Sequence, residues 1–126
     1  MSNITAMAAA YTAAWCSGVA DAVAAHFADT GSLAVNEAAP AVGRAAIADV
    51  AAGFFATFPD LLLVMDALHA AGDHAVYAWT LTGTAAVSGA KVRISGWEQW
   101  TLATDGRISV SQGYFDDADY ARQLAG

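Results

Sequence analysis

Residues 96–116, GWEQWTLATDGRISVSQGYFD, decide the fold. Asp105-Gly106 marks a two-residue hairpin turn of type I′, which needs φ > 0 at both central positions. With those two as the turn, Thr104 pairs with Arg107. Counting outward sets Leu102 opposite Ser109, Trp100 opposite Ser111 and Glu98 opposite Gly113. Side chains alternate along a strand, so these residues share one face with Phe115. Trp97, Gln99, Thr101, Val110, Gln112 and Tyr114 share the other. The first face carries a lone carboxylate among apolar and small residues, with bare glycine backbone opposite it. Such a face reads as the floor of a pocket.

Working outward, a second hairpin precedes the first. Leu61–Ala71 and His74–Val87 flank Gly72-Asp73, a two-residue turn signal. That turn sets Leu68 opposite Tyr77, Asp66 opposite Trp79 and Val64 opposite Leu81. Lys91–Ala103 and Arg107–Asp116 follow as strands. Asp116 or Asp117 then opens a short last helix, Asp117–Leu124, as its N-cap. The N-terminal half reads as helix. Ile4, Met7, Ala8, Tyr11, Ala14 and Trp15 form one apolar stripe at helical spacing. Ser17-Gly18 breaks that helix, and a second runs Val19–Ala28. Asp29-Thr30-Gly31 reads as a turn, Ser32–Asn36 as a short strand, and the chain through Pro40 as loop. A third helix, Arg44–Thr57, presents Ile47, Val50, Ala51, Phe54 and Phe58, and Pro59 stops it. The pattern is α+β, a curved antiparallel sheet with helices on one face.

At 126 residues the chain is one domain with a core of its own. The net charge of −7 and five scattered cations leave no basic footprint for nucleic acid or an anionic membrane. No apolar run approaches the ~18 residues of a membrane span. The apolar N-terminus lacks a basic leader and is interrupted by Tyr11, Trp15 and Asp21, so it reads as structure. A single cysteine, Cys16, allows no intrachain disulfide and fits a reducing cytoplasm. Charged residues are 13% of the chain, about half the usual ~25%. That scarcity points either to a subunit interface or to an alanine-rich surface.

Several stretches resemble the nuclear-transport-factor-2-like superfamily, and within it the SnoaL-like polyketide cyclases. They are Phe58-Pro59-Asp60-Leu61, Gly72-Asp73 leading into 75–84, and Gly106-Arg107-Ile108 followed by Asp116 and Gln123-Leu124. His26–Asp29, Gly43-Arg44 and Ile47 add to the likeness, which covers nearly the whole chain. The resemblance implies a cystatin-like cone, a curved sheet wrapped around three N-terminal helices, with a deep cavity and frequent dimerisation through the open sheet face. In spacing the chain is also similar to ketosteroid isomerases. That likeness places Tyr11 at an oxyanion-hole tyrosine and Glu98 at a protonated acid. The isomerase's base position falls near Val35, which cannot take a proton, and Asn36 cannot replace it, so steroid isomerisation is not expected. The cyclase likeness places its acid/base at Asp116. The chain departs from the cyclase pattern at Val110, Ser111 and Gln112, and at Ala85.

The expected catalytic residues are therefore Glu98, Asp116 and Tyr11, each set against a plainer role. Glu98 is either a pocket acid with a raised pKa or a carboxylate satisfied by neighbouring Tyr or Trp donors. The plainer role of Asp116 is to cap the last helix, and that of Tyr11 is to fill the core. Trp15, Asn36, Phe54, Asp66, Tyr77, Trp79, Trp100, Ser111, Gly113 and Phe115 are the expected ligand contacts. Asp66 would supply a second inward acid unless it is solvated at a strand end, and Asn36 orients a ligand unless it caps a loop. His26, His69 and His74 lack metal-ligand spacing, so neither metal nor cofactor is expected. The expected partner is a small apolar molecule. Three functions stay open: a cofactor-independent cyclase or isomerase acting on a carbonyl compound, a non-catalytic ligand-binding module, and a dimeric interaction domain with a vestigial cavity. Two inward acids would mark the first, one acid in an open pocket the second, and a filled interior the third. The uncharged outer face, with Gln99 and Gln112 bonding across it, is the expected homodimer surface.

Overall fold

The structure, a computed structural model, describes residues 3–126. Helix α1 (Ile4–Ser17) starts at Asn3, whose Oδ1 accepts from the Ala6 amide at 3.0 Å, and stops at Gly18 in the left-handed region. Its buried stripe is Ala8, Tyr11, Ala14 and Trp15, as the spacing demands. Then come α2 (Ala20–Ala24), β1 (Phe27–Val35), β2 (Ala41–Val42) and α3 (Arg44–Thr57). The strands β3 (Leu62–Ala71), β4 (His74–Thr84), β5 (Lys91–Leu102) and β6 (Ile108–Phe115) follow, and α4 (Asp117–Leu124) ends the chain. Six strands form one curved, unclosed sheet in the order β2-β1-β6-β5-β4-β3. α1 packs on β3, and α3 on β1 and α2, so the helices cover the sheet's inner face.

Three sequence expectations need correcting. The second helix ends at Ala24, because Phe27 is drawn into the sheet: it pairs with Ile108 and is fully buried, and the Ile108 amide donates to the His26 carbonyl. Asp29-Thr30-Gly31 is a bulge within β1, not a turn. Between Phe27 and Ser32 that strand advances five positions while β6 advances two. A Cβ at Gly31 would sit 3.0 Å from the carbonyl oxygens of Ala28 and Ile108, a tight approach that glycine avoids in the crowded bulge. β1 runs parallel to β6, so the sheet is mixed. The two-residue β2, too short to show a period, lies beyond the expected loop and pairs with β1.

Both hairpins carry a bulge that residue counting cannot see. At the β5–β6 tip only Gly106 has positive φ, and Ala103 pairs with Arg107, so the loop has three residues rather than two. This moves Leu102 opposite Ile108. An irregularity at Ser109 then restores the count, so Trp100 faces Ser111 and Glu98 faces Gly113 as counted. The error and the bulge cancel before the register reaches Glu98. In β3–β4 the Gly72-Asp73 turn and the Leu68–Tyr77 pair hold, but Asp66 is itself bulged out. Trp79 therefore faces Met65, Leu81 faces Leu63 and Val64 faces Thr80.

Candidate functional site

Glu98 lies at the centre of the sheet's inner face, flanked across the ladders by Tyr77 on β4 and Gly113 on β6. It is 7% exposed. Its Oε1 accepts three hydrogen bonds from three elements: Tyr11 Oη on α1 at 2.9 Å, Trp100 Nε1 on β5 at 3.0 Å and Ser111 Oγ on β6 at 2.8 Å. Trp100 reaches it because residues i and i+2 of a strand share a face, and Ser111 because it lies opposite Trp100. Oε2 has no protein partner among the described residues, and Glu98 lines the wall of a cavity.

Burial pushes the Glu98 carboxyl up from its ordinary value, against the three donors that favour its ionised form. No cation among the described residues counteracts the burial. The same burial, with the Glu98 charge beside it, raises the Tyr11 phenol well above its usual range, so Tyr11 stays a donor. Tyr77 is also raised, by burial first. The Thr12 hydroxyl donates to the Ala8 carbonyl at 2.8 Å, so Tyr77 Oη donates to Thr12 Oγ1 at 2.5 Å. Tyr77 stacks on Trp100 with ring centroids 4.8 Å apart, and Tyr11 meets both edge-on at 5.5 and 5.4 Å. These rings fix the donors that hold Oε1.

The cavity, of about 50 Å³, lies between that inner face and the helices. Trp15 on α1 and Val50 and Phe54 on α3 form its roof. Leu33 and Val35 of β1, Leu63 of β3, Trp79 and Leu81 of β4, Ile94 of β5 and Gly113 and Phe115 of β6 form the rest. Glu98 is the one ionisable residue among these lining positions. The indole N–H groups of Trp15 and Trp79 are buried without an acceptor among the described residues.

Of the sequence-predicted contacts, Trp15, Phe54, Trp79, Gly113 and Phe115 line the cavity beside Glu98. Tyr11, Tyr77, Trp100 and Ser111 stand behind Glu98, and three of them bind it. Three expected residues lie elsewhere. Asp66 is exposed on the outer face, where the bulge has turned it, and accepts from Thr80 Oγ1 at 2.6 Å. Asp116 is exposed and caps α4, its Oδ1 accepting from the Asp119 amide at 3.0 Å. Asn36 sits at φ +50 just past β1 and clamps β1 to β6: its amide donates to the Gly113 carbonyl and its Oδ1 accepts from the Phe115 amide. Leu33, Val35, Val50, Leu63, Leu81 and Ile94 were not foreseen as lining. Apolar periodicity marks such residues as inward, but only the packing shows which of them border empty space.

The SnoaL-like domain family matches residues 8–111. The chain belongs to that family. None of the curated proteins matches it. Among solved structures it is similar to a protein of ketosteroid isomerase-like fold from Catenulispora acidiphila, determined with trimethylamine, at 19% identity and TM-score 0.86 over 94% of this chain and 92% of that one. It is also similar to a protein from Jannaschia sp. CCS1 assigned as a SnoaL-like polyketide cyclase, at 18% identity and TM-score 0.82 over 100% and 96%. A third is SalBIII, an epoxide hydrolase/cyclase-like enzyme of pyran ring formation in the polyether salinomycin, at 18% identity and TM-score 0.81 over 92% of each chain. At these identities the SnoaL-like chain shares their cystatin-like α+β fold. No helix among the described residues is long and apolar enough to cross a membrane.

Proposed function

We propose that the SnoaL-like cavity binds a compact, largely apolar small molecule and that Glu98 is its polar anchor. The observation that carries this is the asymmetry of Glu98. One oxygen is fixed by three donors, and the other has no protein partner among the described residues on an otherwise apolar wall. One acid at the cavity supports ligand binding over two-acid chemistry, since Asp66 and Asp116 lie outside it. Purified from its host and sprayed under native conditions, the protein is expected to carry an added small-molecule mass that unfolding releases. A bare chain, even after incubation with the host's small-molecule extract, would count against the proposal.

A second reading keeps catalysis with one acid. Glu98, with its raised pKa, would pass a proton to and from a small carbonyl compound without a cofactor, as a cyclase or isomerase. The cyclase assignments of two structural neighbours favour that reaction class. The single Cys16 supports a place in a reducing cytoplasm.

A homodimer through the outer sheet face belongs to the same proposal. Trp97 is 42% and Val110 37% exposed there, Trp97 stacks on Tyr114 at 5.4 Å, and Gln99 pairs with Gln112. Trp97, Gln99, Thr101, Val110, Gln112 and Tyr114 carry no charge, which for a lone chain is an association liability. Gln112→Arg is expected to halve the mass seen by light scattering. A monomeric mass for the unsubstituted protein would overturn the dimer.

A further inference from the structure

The cavity wall is arranged for a negative charge and lacks the positive one. Three donors on Glu98 Oε1 stabilise the carboxylate form. None of the five cations of the chain is among the residues lining the cavity. Four of the residues that line the cavity with Glu98 are aromatic: Trp15, Phe54, Trp79 and Phe115. Trp15 and Phe54 meet at 76° with centroids 6.0 Å apart, and Trp79 and Phe115 at 64° and 6.1 Å. Aromatic rings that line a cavity offer electron-rich faces to a cation. Size narrows the choice further. At about 50 Å³, a few times the roughly 10–15 Å³ that one water needs, the cavity takes only a compact group. An anion would be repelled by the ionised form of Glu98, and no cation lines the cavity to hold it.

We infer that the cavity takes a compact alkylammonium cation, held between the Glu98 carboxylate and the aromatic rings of Trp15, Phe54, Trp79 and Phe115. The inference rests on the cavity being the ligand site and adds the charge and size of what enters. A tertiary amine arriving as the free base accepts the Glu98 proton on its nitrogen lone pair, leaving an ammonium beside a carboxylate. A quaternary ammonium enters as the Glu98 proton passes to solvent. In both cases the buried carboxylate gains the counter-charge that the protein itself does not provide.

Tetramethylammonium and its neutral counterpart of similar size, tert-butyl alcohol, separate charge from shape. Each would be titrated into the whole protein in excess sodium chloride, which screens unspecific attraction to the acidic surface. The readouts are the indole N–H resonances of Trp15 and Trp79, which no acceptor among the described residues ties down. Tetramethylammonium is expected to bind at least tenfold more tightly than tert-butyl alcohol, and Glu98→Gln to erase that preference. The substituted amide can still accept the three hydrogen bonds through its oxygen, so the variant should fold. Phe54→Leu serves as a second variant, expected to weaken the cation by about 2- to 30-fold and the alcohol much less. If the alcohol binds as well as the cation, or Glu98→Gln leaves the preference unchanged, the cation proposal falls while the binding site stands. If neither probe moves either indole, both fall.

Discussion

Glu98→Gln is expected to make the protein more stable than the parent at pH 7 and to leave the two alike below about pH 4.5, the ordinary value for this group. The sign follows from linkage. Burial raises the folded carboxyl above the unfolded one, so the folded chain keeps a proton that the unfolded chain has released. The parent therefore loses stability as pH rises from about 4.5 to the raised folded value, and the penalty is level above it. Glutamine does not titrate, and its oxygen can still accept from Tyr11, Trp100 and Ser111. The variant's stability should be flat across that window. Where Glu98 also moves protons in a reaction, the substitution should cost about 10²- to 10⁴-fold in rate. Chemical denaturation at pH 4, 6 and 8 checks the first part. A variant less stable than the parent at pH 7 would show that Glu98 is ionised and paired in the folded state, and the pocket-acid reading would be wrong.

The second large effect is expected at Gly96, two residues before Glu98 on the same face. Its missing side chain is replaced by the indole of Trp79, which crosses from β4. A Cβ there would stand 2.7 and 2.9 Å from Trp79 Cζ2 and Cη2 and would run into the Tyr114 carbonyl oxygen. The carbonyl belongs to the β5–β6 ladder and cannot yield without breaking it, so Trp79 must move toward the cavity it lines. Gly96→Ala is expected to destabilise by about 1–3 kcal/mol or more, the range for forcing atoms into a packed core, and to shrink the cavity. Gly113→Ala is the control. Its Cβ would meet Glu98 Cγ at 3.6 Å, an ordinary contact, so stability should change little. Equal denaturation midpoints for the two variants would refute the packing account.

Turn spacing and apolar periodicity in the sequence alone determined the α+β class, the bounds of α3 and α4, and the presence of Glu98 on an inner face opposite Gly113. These follow from local rules, since turn residues and period-2 or period-3.6 patterning act within about twenty residues. The α3 apolar stripe and Pro59, and the aspartates before α4, are signals of that range. Tertiary structure decided whatever depended on distant strands. Phe27 left its helix because β6 offered Ile108 as a partner 81 positions away along the chain. Asp66 turned outward because a bulge inserted one residue into β3 and so shifted the side chains beyond it. Asp116, a pocket acid by resemblance, caps α4 instead. The three donors on one Glu98 oxygen come from Tyr11, Trp100 and Ser111, residues up to 100 positions apart that meet only when α1 lies across the sheet. Empty space is likewise a property of packing. Periodicity marks Leu33, Val50 and Ile94 as inward, and only the distance between helix and sheet leaves a cavity beside them.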